Sequence, residues 1–117
     1  MQPAKLDLDL YRGDTWKMRV KLYAQNMTPI DLTDTTAKAQ IRDRPSGDTI
    51  IPLDCTITLP NEVELVLTAE NSFKLSNSCT VWDLQISFLS GEVKTPLAGQ
   101  VSVTPDVTDS TPFPQPV

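Results

Sequence analysis

Apolar residues fall at every second position in run after run of this chain, with turn-forming residues between the runs. The clearest run is Trp16, Met18, Val20 and Leu22, interleaved with Lys17, Arg19, Lys21 and Tyr23. A strand sends successive side chains to opposite faces, so this period puts one face on a core and the other in water. The same spacing returns at Leu6-Leu8-Leu10, Ala37-Ala39-Ile41, Val63-Leu65-Leu67 and Trp82-Leu84-Ile86-Phe88. It predicts strands over 5–11, 15–24, 37–42, 49–53, 56–59, 62–68, 80–89, 92–97 and 100–104. Pro52 places its strand at a sheet edge, because proline has no ladder N–H to donate. Thr68 is a helix cap for one short turn anchored by Phe73 and Leu75. The expected fold is all-β: an antiparallel Ig-like or jelly-roll-like sandwich of about seven to nine strands with at most one short helix. Buried positions should include Trp16, Met18, Val20, Ile41, Leu65, Leu67, Trp82, Leu84, Ile86 and Val103.

Turn chemistry marks the connections. Gly13 closes the first strand, Pro45 and Gly47 break the chain after the third, and Pro60-Asn61 and Ser90-Gly91 fit tight turns. After residue 104 the composition changes to Thr, Asp, Ser and Pro, with Pro112, Pro114 and Pro116 alternating. The chain therefore divides into a sandwich, 1–104, and an extended Pro-rich arm, 105–117, that cannot form a helix or inner strand. Val107, Phe113 and Val117 give that arm spaced apolar anchors. With Pro112 and Pro114 they are the candidate partner contacts, ordering against a neighbouring subunit.

A chain of 117 residues fits one domain with its own core. Its net charge of −5 argues against a phosphate-binding, nucleic-acid surface. No stretch has the roughly 20 apolar residues of a membrane-spanning helix, and 1–5 lack the apolar segment of a secretion signal. Histidine is absent, which removes the commonest general base and metal ligand. The expectation is a non-enzyme with no catalytic residues, cofactor or metal. Cys55 and Cys79 are expected as free, partly buried thiols.

The remaining chemistry-bearing residues each have a plain structural reading. Arg12-Gly13-Asp14 spells a cell-adhesion tripeptide but also suits an ordinary turn, and Asn26-Met27-Thr28 matches a glycosylation acceptor but also suits a turn. Asp7 with Asp9, and Asp31 with Asp34, lack the oxygen count of a calcium loop and read as solvated positions. Asp83 follows Trp82 on an apolar strand and, by alternation, points outward. Trp16 and Trp82 read as core residues rather than a sugar-stacking platform.

Three blocks in order carry a resemblance: Tyr11-Arg12-Gly13-Asp14-Thr15-Trp16, then Thr28-Pro29-Ile30-Asp31-Leu32-Thr33, then Ala37-Lys38-Ala39-Gln40-Ile41-Arg42-Asp43. Val63-Glu64-Leu65-Val66-Leu67-Thr68-Ala69-Glu70, Trp82-Asp83-Leu84-Gln85-Ile86 and Gly99-Gln100-Val101-Ser102-Val103-Thr104-Pro105 continue it. Together they resemble small β-sandwich virion proteins of tailed bacteriophages, in particular the N-terminal domain of phage baseplate upper proteins. That resemblance implies a structural component made in the host cytoplasm and carried in the virion. It would act as a tail, baseplate or fibre-attachment adaptor, present in several copies or as a homo-oligomer and held by other virion proteins. The alternatives are a capsid decoration protein on the phage head and, from a different class, a carbohydrate-binding module.

Overall fold

The computed structural model describes residues 4–43, 50–76 and 80–105, and the alternation seen in the sequence becomes eight strands and one helical turn. The strands are β1 (Ala4–Lys5), β2 (Leu8–Tyr11), β3 (Trp16–Lys21), β4 (Thr36–Arg42), β5 (Ile50–Thr58), β6 (Glu62–Leu67), β7 (Val81–Ser87) and β8 (Val93–Thr104). They form one curled path, β1-β8-β7-β4-β5-β6-β3, with β2 also paired to β8. Helix α1 (Ala69–Ser72) links β6 to β7, with the Thr68 hydroxyl accepting from the Asn71 N–H.

The curl turns at β5. Its first residues, Ile50–Leu53, pair with β4, and Asp54–Thr58 pair with β6. One strand thus leaves the layer of β4, β7, β8, β1 and β2 and joins the layer of β6 and β3. Predicted as two pieces, 49–53 and 56–59, it is one strand serving two layers. Pro52 pairs with Gln40 of β4, in the half of β5 that forms the edge of that layer, so its missing N–H breaks no ladder. The two layers close over Ile41, Ile51, Val63, Leu65, Leu67, Leu84 and Ile86, all buried.

The first predicted strand is broken at Leu6 and Asp7, and both halves run parallel to β8 while the other pairs are antiparallel. The break is built by three contacts. Leu6 N–H donates to the Ala98 carbonyl (2.9 Å), Trp82 Nε1–H donates to the Leu6 carbonyl (2.7 Å), and Gln100 N–H donates to Asp7 Oδ1 (2.9 Å). Gly99 lies beneath: a Cβ there would collide with the Leu6 carbonyl oxygen. The predicted strands 92–97 and 100–104 are therefore one strand, continuous through Gly99.

Trp16, Met18, Val20 and Val103, expected to be buried, are only half-buried, although they pack against the core. For the three β3 residues the reason is topological. β3 ends the path, and among the described residues no strand covers its outer side.

Candidate interaction surfaces

Of the candidate contacts predicted in the arm, Val107, Pro112, Phe113, Pro114 and Val117 all lie outside the described residues, as does Cys79. The other candidates fall into place. Arg12-Gly13-Asp14 is a turn clamped onto α1. Gly13 is buried at φ 93° and its N–H donates to Ser72 Oγ (2.9 Å), while Arg12 Nε donates to the Phe73 carbonyl (3.1 Å). An adhesive tripeptide must protrude; here the arginine and glycine are held against the domain. Ser72, fully buried, also donates to the Tyr11 carbonyl (3.4 Å).

Asn26-Met27-Thr28 forms the tip of a small hairpin, with Thr28 N–H on Asn26 Oδ1 (3.1 Å), Met27 at φ 65° and Tyr23 bridged to Pro29. Asp31 accepts from the Thr33 hydroxyl (2.6 Å) and N–H (2.9 Å), which hold its carboxyl below the usual range. Asp34 sits at φ 59° in the next turn, and Asp7 fastens the β1–β2 break. Among the described residues no cluster of three or more His, Cys, Asp or Glu could hold a metal. Burial, the largest influence on the Cys55 thiol, pushes its pKa up and keeps it protonated.

Asp83 faces outward, as alternation requires, but is half-buried in a groove of about 560 Å³ on the face of β4, β7 and β8. Gln40 and Ala98 are its register partners, and Lys38, Arg42 and Gln85 line the same groove. Desolvation raises its pKa, and the Arg42 charge opposes the rise. Arg42 Nη2 in turn donates to Gln40 Oε1 (3.1 Å). The groove offers amides and charges but no aromatic platform: Trp82 is 3 % exposed, with its N–H committed to Leu6.

A second surface was not legible in the periodicity, because it is made of loops. Leu22 N–H and Leu32 N–H reach the Asn61 and Pro60 carbonyls (2.9 Å each), tying the β3–β4 connection to the β5–β6 turn. Asn61 is buried and its Nδ2 donates back to the Leu22 carbonyl (2.9 Å), while the Leu59–Pro60 bond is cis. Thr36 pairs with Ser87, which puts the β7–β8 turn at the same end of the sandwich. Five large exposed apolar residues belong to these three connections and the strand start beside them: Tyr23, Met27, Leu59, Leu89 and Val93. Met27 and Leu89 are 73 % and 84 % exposed. Other residues of the β3–β4 and β7–β8 connections and the adjoining strands line a mainly apolar pocket of about 260 Å³: Leu22, Ala24, Ile30, Ile86, Phe88 and Pro96, with Asp31 and Lys94.

No protein-family model and no curated protein matches the sequence. Among solved structures the chain is similar to one titled "Anomalous substructure of Titin-A168169". The TM-score is 0.50 at 7% identity, over 88% of this chain and 46% of that one. The chain thus spans less than half the length of the titin structure. At this identity the likeness shows an Ig-like β-sandwich and speaks to fold alone.

Proposed function

We propose that this domain is a non-enzymatic structural component of a tailed-phage virion, an adaptor that works through protein–protein contacts at the tail or baseplate. The observation that carries the contact reading is the loop end. Five large apolar side chains are exposed on the connections at one end of the sandwich, and residues of those same connections line an apolar pocket, which together make this end the surface best suited to a partner. The virion assignment rests on the ordered sequence blocks that resemble phage baseplate upper proteins. The Ig-like sandwich suits such a role, because its strands fix loops at one end while leaving their sequence free.

The polar groove around Asp83 favours a second reading, carbohydrate binding, since carboxylate and amide side chains suit hydroxyl ligands. Its lack of an exposed aromatic ring makes it the weaker of the two.

The test is mass spectrometry of gradient-purified particles from cells producing the encoding phage, with wild-type protein and a Met27→Asp/Leu89→Asp variant. Wild-type protein should co-purify at fixed stoichiometry. The variant should melt at the wild-type temperature, both sites being solvent-exposed, yet be lost from particles. Absence of the wild-type protein from particles would end the proposal. Normal incorporation of the variant would remove the loop end from it.

A further inference from the structure

The free edge of β3 carries a specification for what can pair with it. Leu22 N–H bonds to the Asn61 carbonyl, and β3 pairs with β6 in continuous register from Trp16↔Leu67 to Lys21↔Glu62. Antiparallel bonding alternates, so Trp16, Met18 and Val20 exchange bonds with β6. The N–H and C=O groups of Lys17, Arg19 and Lys21 then point to the open side, where no described strand takes them. The inner face of β3 is the half-buried apolar row Trp16, Met18 and Val20; the outer face is the cationic row Lys17, Arg19 and Lys21. Arg19 is paired with Glu64 (3.1 Å), but Lys17 and Lys21 have no ion-pair partner among the described residues.

We infer that the β3 edge accepts an extended strand from a neighbouring protein, one that alternates apolar and acidic residues. Each feature selects one property of that strand. The outward backbone groups demand extended main chain. The half-covered apolar row demands apolar side chains at every second position, and the cationic row demands acidic ones between them. The same charges exclude a second copy pairing β3 to β3, because that would set lysine against lysine. The inference deepens the adaptor reading, on which it rests for the existence of a neighbouring protein, by naming the chemistry of the contact.

The test is fluorescence anisotropy on the full chain with a labelled peptide alternating valine and glutamate, against a control alternating valine and lysine. The acidic peptide should bind and the basic one should not, with affinity falling about tenfold or more at high salt. Arg19→Pro removes one outward N–H and leaves the β6 ladder intact, so it should abolish binding with little loss of melting temperature. Arg19→Ala, which loses the same ion pair but keeps the N–H, should still bind. Should Arg19→Pro fold poorly, Lys17→Glu/Lys21→Glu probes the same edge through charge and should abolish binding of the acidic peptide. Failure of the acidic peptide to bind, equal binding of the basic peptide, or indifference to Lys17→Glu/Lys21→Glu would each overturn the assignment. So would self-association abolished by Arg19→Pro, which would make a second copy the occupant. The assay uses isolated protein, so its failure leaves particle membership untouched, and absence from particles leaves a positive peptide result standing.

Discussion

Trp82→Phe isolates the contact that breaks the first strand. The indole Nε1–H donates to the Leu6 carbonyl at 2.7 Å, and phenylalanine keeps an aromatic ring in the core while deleting that donor. The lost bond is worth about 1 kcal/mol net, and leaving the carbonyl short of a partner adds about 1 kcal/mol, the low end because Leu6 is only half-buried. The smaller ring leaves a cavity costing roughly 1 kcal/mol more. The sum is about 2–4 kcal/mol, or about 10–20 °C in melting temperature for a domain of this size. Trp16 remains as the fluorescent reporter of chemical denaturation. Gly99→Ala attacks the same carbonyl from below, since its Cβ would collide with the Leu6 oxygen. The two losses should therefore be sub-additive by about 1 kcal/mol in a double-mutant cycle. A loss below about 0.5 kcal/mol for Trp82→Phe, or strict additivity with Gly99→Ala, would refute the clamp.

The remaining predictions address single groups. Ser72→Ala removes the buried hydroxyl that accepts from Gly13 N–H, and should cost about 1–3 kcal/mol by urea titration. The Asp83 pKa is raised by folding, so the native state holds its proton more tightly and stability falls as pH climbs from 3.8 through the raised value. Asp83→Asn should accordingly raise the melting temperature at neutral pH and leave it unchanged below pH 3.8. No neutral-pH gain would show that Arg42 fully offsets the desolvation. Cys55 should react with iodoacetamide at least about tenfold more slowly in the folded protein than in denaturant, read by mass spectrometry of its peptide.

What the sequence shows and what it hides follow from the range of each interaction. Local signals are legible. Alternation locates the strands, Thr68 announces α1 and its anchor Leu75 is buried, and Pro52 marks an edge. Non-local features are not. The parallel pairing of β1 and β2 with β8 depends on Gly99 and Trp82 meeting Leu6 across most of the chain, and no window around Leu6 contains them. The half-exposure of Trp16, Met18 and Val20 follows from β3 ending the sheet, which periodicity cannot reveal. The loop end was hidden for a related reason. Met27, Leu59 and Leu89 are isolated apolar residues in turns, meaningful only once the fold gathers those turns at one end.

The proposed virion role is tested most directly by cryo-electron microscopy of particles purified from phage-producing cells that encode this chain. The eight-stranded sandwich should appear in density at the tail or baseplate, with the turns bearing Met27, Leu59 and Leu89 seated against a neighbouring protein. A particle without the sandwich, or one in which that end faces solvent, would contradict it.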